Sequence, residues 1–212
     1  MMTPRVIDIY SGTRVKDDSF KKAAAAGIWA CIHKATEGNS YKDKTYPVRR
    51  KMAEEAGMLW GAYHFNYGND WKTQVNNFLG WAAPDENTLV CLDYEDHTVN
   101  MNIQSALAFM KEVESRTGKL CAIYSGNRLK ETIQTVGPED VKYLSERKLW
   151  ICQYGPRLQM PKGIDKDAWF LWQYTGDDVG PLPHSVPGFD PGIDLSVYNG
   201  ESKEEFATTW IS

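Results

Sequence analysis

The sequence has no surplus of positive charge: 24 Lys and Arg stand against 28 Asp and Glu, a formal net charge of −4. A dedicated nucleic-acid binder shows a basic excess or stripe, and here Arg and Lys do not gather beside the aromatic residues either, so no nucleic-acid partner is expected. No apolar run approaches the ~20 residues of a transmembrane helix, and membrane insertion is not expected. Residues 1–10 lack the basic segment and apolar stretch of a secretory signal. Cysteine is scarce: Cys31, Cys91, Cys121 and Cys152 fall in four different apolar runs. None has CxxC spacing, so they read as reduced, buried small hydrophobes of a protein folded in a reducing compartment. The histidines, His33, His64, His97 and His184, show no HExxH or other paired ligand spacing, and no metal is expected. There is no GxSxG elbow and no phosphate-binding glycine loop. The dinucleotide fingerprint is missing after the first strand, which weakens a doubly wound open sheet.

What remains is an ordinary globular composition, 42% hydrophobic and 25% charged, in 212 residues, enough to bury a large core as one domain. Apolar runs alternate with helical segments. Residues 6–10, 29–35, 59–65, 89–95 and 120–124 read as strands. Residues 20–26, 45–56, 70–82 and 103–117 read as helices, the third with Asp70 as N-cap, and Gly27, Gly57 and Gly118 read as helix stops. A polar helix is expected at 128–135, followed by strands at 149–154, 168–174 and 193–198 with no long helix between them. Strict alternation through five βα units implies a parallel sheet covered on both faces. The whole reads as an α/β fold, a single-domain irregular β/α barrel whose late helices are short or missing. Residues 201–212 read as a polar tail.

Functional groups of such a barrel collect where its strands end. The segment Leu89-Val90-Cys91-Leu92-Asp93-Tyr94-Glu95 places two carboxylates at i and i+2, on one face and roughly 6.6–6.8 Å apart along the strand. Two like charges buried this close raise the pKa of one of them. A proton-holding acid beside an ionised carboxylate is what glycoside hydrolysis requires. That spacing falls between the separations of retaining and inverting enzymes, so it does not decide stereochemistry. A metal site or a solvated turn is the bland alternative. Asp8, inside Val6-Ile7-Asp8-Ile9-Tyr10, and Asp194, inside Gly192-Ile193-Asp194-Leu195, are charges in apolar runs that need a partner or a function. For Asp8 the structural option is a pair with Lys34. First and last strands of a closed barrel are neighbours, so the two aspartates are candidates for one site. Aromatics make up 12% of the chain, with eight Trp and eleven Tyr. Most suit core packing, and some suit a cleft that stacks on sugar rings.

These pieces, in order, resemble glycoside hydrolase family 25, the muramidase or lysozyme group common among phage endolysins and secreted bacterial and fungal lysozymes. They are Val6-Ile7-Asp8-Ile9-Tyr10-Ser11-Gly12, Ile32-His33-Lys34-Ala35-Thr36-Glu37-Gly38, Gly61-Ala62-Tyr63-His64-Phe65, Leu92-Asp93-Tyr94-Glu95 and Ile123-Tyr124-Ser125-Gly126. Trp150 to Tyr154, Leu171-Trp172-Gln173-Tyr174-Thr175 and Ile193-Asp194-Leu195 complete the set, which runs from about Val6 to Gly200. The resemblance implies cleavage of the β-1,4 bond between N-acetylmuramic acid and N-acetylglucosamine of peptidoglycan, without metal or cofactor. It implies Glu95 as general acid/base and Asp93 as the carboxylate assisting the substrate's N-acetyl group, with retention. Asp8 and Asp194 match further acidic residues of the cleft, and Lys34, Tyr63, Tyr124, Trp172 and Gln173 match substrate-binding positions. Residues 1–200 are then the catalytic barrel, and 201–212 a tail with no separate wall-binding module. Peptidoglycan strands are the expected partner, the bacterial cell wall the place of action after phage-type release from the cytoplasm or after secretion with a leader removed, and a monomer the default state. A non-catalytic peptidoglycan- or chitin-binding barrel is the alternative, and the presence of all four acids argues against it.

Overall fold

The computed structural model describes residues 2–212. β1 (Val6–Ile9) is buried along its whole length. The chain continues through α1 (Ser19–Ala25), β2 (Ala30–Glu37), the short β3 (Tyr41–Lys42), α2 (Tyr46–Glu55), β4 (Leu59–Phe65) and α3 (Trp71–Ala82). β5 (Leu89–Asp93), α4 (Ile103–Thr117), β6 (Ala122–Ser125), α5 (Asn127–Thr132), a 3-10 turn (Ile133–Thr135) and α6 (Pro138–Ser145) follow. β7 (Leu149–Cys152), β8 (Trp169–Thr175), β9 (Asp194–Tyr198) and α7 (Lys203–Ile211) complete it. The strands are built from near-continuous apolar runs because both of their faces are covered. The helices begin where side chains satisfy free amides: Asp70 accepts from Thr73 N at 3.3 Å, and Asn102 from Ser105 N at 2.8 Å. Gly118 ends α4 in the left-handed region, at φ 69°.

Seven strands, β1, β2, β4, β5, β6, β7 and β8, run parallel to one another. β9 lies antiparallel between β8 and β1, and the β1–β2 pairing closes the ring. β3 pairs with the end of β2, outside the ring. This is the expected irregular α/β barrel. Helices fill each connection up to β7, and among the described residues none lies between β7 and β8 or between β8 and β9.

Period-two alternation along the strands splits the core in two. One set, including Val6, Ile32, Leu89, Cys91, Ala122, Trp150 and Leu171, fills the barrel interior. The other, including Ile7, Cys31, Ala62, Val90, Leu92, Phe78 and Phe109, lies between barrel and helices. The four cysteines are free, three of them fully buried.

Three features differ from the sequence reading. Residues 138–145 form α6, a short helix with Pro138 at its start and Leu144 as its buried residue. The last strand is antiparallel to its neighbours. The segment read as a polar tail is α7, and it turns Phe206 and Trp210 into the barrel interior. Trp210 Nε1 donates to Trp60 O at 3.2 Å, and Phe206 stacks on Phe170. Trp60 and Phe170 sit near the starts of their strands, so α7 seals the end of the barrel opposite the strand ends. Gly61 makes room for this floor: a Cβ there would lie 3.1 Å from Ile32 and 3.2 Å from Trp210.

Candidate active site

The unsealed mouth is a cleft of about 230 Å³. β5 ends at Asp93, one turn of the pleat earlier than its apolar run suggests, and Glu95 lies just beyond. Extended geometry nevertheless continues, because Tyr94 N donates to Tyr124 O at 2.8 Å. Tyr94 is therefore buried in the outer layer, while Asp93 and Glu95 both line the cleft. Burial, then the Glu95 charge, pushes the Asp93 carboxyl well above the usual carboxylate range, and Lys34 pulls it down. Burial, then Asp96, raises Glu95 as well. Asp93 Oδ1 is buried and has no hydrogen-bond partner among the described residues.

Asp8 and Asp194 face each other across the β1–β9 ladder. Because β9 runs backwards, Asp194 opens its strand yet stands at the same mouth where β1 ends. Burial, then the Asp194 charge, raises Asp8 well above the usual range. Asp194 is pushed up to about 7 by burial, then by Asp177. Asp8 does not pair with Lys34. Gln173 Nε2 donates to both of its carboxyl oxygens, at 3.0 Å each, and Gln173 Oε1 accepts from Tyr124 Oη at 2.8 Å and from Tyr154 Oη at 3.2 Å. The amide thus ties a tyrosine on β6 to the acid on β1.

Lys34 forms an ion pair with Glu37 and lies 4.6 Å from the centre of the Phe65 ring. Burial, then Asp93, raises the Tyr63 phenol well above its ordinary value, and burial, then Cys152, does the same for Tyr124. Both stay neutral hydroxyls able to donate. One sequence-expected residue falls elsewhere: Trp172 packs in the outer layer, its Nε1 donating to Gln153 O at 2.8 Å. Alternation requires this, since Gln173 next to it points inward. His33 and His64 are fully buried and hydrogen-bonded, the latter between Thr36 at 2.7 Å and Gln74 at 3.0 Å.

Three lining residues stood outside the expected set of site residues: Tyr10, Phe65 and Trp150. Two of them were signalled, because Tyr10 stands two residues after Asp8 and Phe65 two after Tyr63. Trp150 pairs in register with Tyr124 and meets it edge-on, with ring centres 4.4 Å apart. From Asp8, Tyr10 and Asp194 the cleft continues into a second hollow of about 220 Å³ bounded by Arg14, Asp177 and Asp190.

Comparison with known proteins gives this arrangement a family. The chain is 30% identical over 176 residues to the uncharacterized protein YegX of Escherichia coli O6:H1, across 81% of this chain and 59% of that protein. It is 26% identical to the autolytic lysozyme of Clostridium acetobutylicum, across 91% of this chain and 55% of that protein. The chain thus spans less than two thirds of the length of these curated relatives. A bacterial lysozyme structure from Streptomyces coelicolor shares the fold with a TM-score of 0.81 at 22% identity, covering 100% of this chain and 98% of that one. The family model for glycosyl hydrolases family 25 matches residues 7–181. Since that match runs from within β1 to beyond β8, through nearly all of the wall that carries the cleft, the chain belongs to glycosyl hydrolases family 25.

Proposed function

We propose that the protein is an N-acetylmuramidase, a lysozyme that hydrolyses the β-1,4 bond between N-acetylmuramic acid and N-acetylglucosamine in the bacterial cell wall. The observation that carries this reading is the pair Asp93 and Glu95, two acids of raised proton affinity sharing one cleft of a family 25 barrel. In the reaction, Glu95 gives its proton to the glycosidic oxygen as the C1–O bond breaks. The carbonyl oxygen of the substrate's own N-acetyl group closes on C1 and forms a bicyclic oxazolinium intermediate. Asp93 accepts the amide N–H through its unpartnered Oδ1 and balances the developing positive charge. Accepting that bond favours the ionised form of Asp93, which leaves the proton of the pair on Glu95. Glu95, now a carboxylate, takes a proton from water as the water oxygen attacks C1 and reopens the ring. Two inversions give net retention.

Lys34, Tyr63, Tyr124 and Gln173 bind the sugar around this pair, and Asp8 and Asp194 form the acidic floor beside it. Every step uses side chains, the substrate amide and water. The catalytic barrel, expected over residues 1–200, extends in this reading through α7, which forms its base, and acts as a monomer on glycan strands. No helix among the described residues is long and apolar enough to cross a membrane.

The test is Glu95→Gln. Loss of the proton donor is expected to lower kcat by about 10²–10⁴-fold on purified peptidoglycan, read as new reducing ends. Mass spectrometry of the parent digest should show fragments ending in reducing N-acetylmuramic acid. Wall clearance by the variant at the parent's rate would reject the assignment of Glu95, and a digest ending in reducing N-acetylglucosamine would reject the bond. Proton NMR of the first-formed anomer decides retention.

A further inference from the structure

We propose that Asn66 is a positioning residue that fixes Glu95 in register with Asp93, an inference that rests on the muramidase reading above. Asn66 is the first residue after β4 and is fully buried although polar. It does not line the cleft. Its Nδ2 donates to two backbone carbonyls, that of Asp93 at 2.9 Å and that of Glu95 at 3.1 Å. Its Oδ1 accepts from Met101 N at 3.2 Å, and its own backbone N–H donates to Asp93 O at 3.1 Å. Both hydrogens of the amide are used, and its oxygen as well.

The two carbonyls it holds belong to the two residues whose side chains carry the chemistry. Carbonyls at i and i+2 of a strand point the same way but lie ~6.6–6.8 Å apart when fully extended, so a single nitrogen 2.9 and 3.1 Å from them holds the Asp93 and Glu95 carbonyls closer together than a free strand end would. The need for such a grip follows from where the ladder stops. The pairing of β5 with β4 ends at Asp93, and the Tyr94–Tyr124 bond is the next rung on the β6 side. Beyond it the backbone returns through residues 95–102 without regular structure. Asn66 replaces the missing β4 rung, and its bond to Met101 closes that return. A carboxyl whose backbone is released by about 1 Å can lose on the order of 10²-fold in rate.

The experiment uses the intact chain with Asn66→Ala and Asn66→Ser, each assayed on peptidoglycan well below its own melting temperature and normalised to folded protein. The expected result for Asn66→Ala is kcat lowered by about 10–100-fold with KM within about twofold of the parent. Asn66→Ser, which keeps one donor, falls between. The basic limb of the kcat profile moves to lower pH in both, because a released Glu95 gains solvent. A part that only supports folding would lower Tm and leave kcat per folded molecule and the pH profile unchanged, and that result overturns the proposal. Should neither variant fold, amide exchange in the parent decides: protection of the Met101 amide close to that of the β5 core supports the clamp, and exchange at the rate of an open loop overturns it. A parent that releases no reducing ends condemns the muramidase reading instead, and the exchange arm still reports on the clamp.

Discussion

Gly176 has no side chain, and the cleft depends on it. A Cβ there would lie 2.1 Å from Asp194 Oδ1 and 2.3 Å from Tyr154 Oη, both of which belong to the hydrogen-bonded group around Asp8 and Gln173. Gly176→Ala is expected to push Asp194 and Tyr154 aside and to cut kcat/KM by about 10-fold or more, measured on peptidoglycan. An undiminished rate would show that this corner is not part of the machinery. Asp194 also makes a pH prediction. Its pKa of about 7 in the fold stands against an ordinary 3.8, so the folded protein binds more protons than the unfolded chain between those values. The stability this gives is complete at low pH and is lost as pH rises through about 7. His33 and His64, held by burial at about 4 against an ordinary 6.5, act in the opposite sense: their contribution is full above 6.5 and lost as pH falls toward 4. Asp194→Asn removes the first effect, relieves Asp8 of the neighbouring charge and leaves the histidine effect in place, so its Tm should gain on the parent's as pH rises from 3.8 to about 7. A Tm difference that stays flat over that range contradicts the assignment. Asp8, Asp93 and Glu95 were legible in the sequence because charges inside apolar runs demand an explanation. Trp172 was placed with the substrate-binding positions by the resemblance, although the alternation beside Gln173 already turned it outward. Asn66 was illegible, since its role depends on which carbonyls lie beside it in space.

Among the elements, α7 shows how a short polar-looking segment can complete a core. Its sequence did carry a signal: Ser202 and Glu205 stand three apart at a helix start, and Ser202 Oγ accepts from Glu205 N at 3.0 Å. Phe206 and Trp210 follow at i and i+4, on one face. Charged Lys203, Glu204 and Glu205 hide this pair when composition alone is weighed. Trp210→Ala opens a hole beneath Gly61 and removes a bond to Trp60 O, so a loss of about 3–5 kcal/mol is expected in denaturant unfolding. A loss below about 1 kcal/mol would mean that the floor is held by other contacts. The parallel strands were legible to within a few residues, because burial on both faces imposes unbroken apolar runs. The direction of β9 was not, since an apolar run reads the same whichever way it is threaded.

The molecule as a whole is held by two apolar layers, one inside the ring and one around it, and by no covalent cross-link among its cysteines. Burial pushes the Cys152 thiol up to about 12, which leaves little thiolate to react at neutral pH. A reductant should therefore leave both Tm and wall-clearing rate unchanged, and a fall in either would point to a disulfide in solution. Each parallel connection of the ring has to carry the chain from the mouth back to the floor, through a helix in every case but the β7–β8 link. Residues 176–193 are exempt, for they leave β8 and enter β9 at the same rim. Insertions and deletions there need not re-thread the wall, so, apart from Gly176 and the buried Val186, Phe189 and Ile193, this rim beside the acids is free to change in length and shape without disturbing the ring.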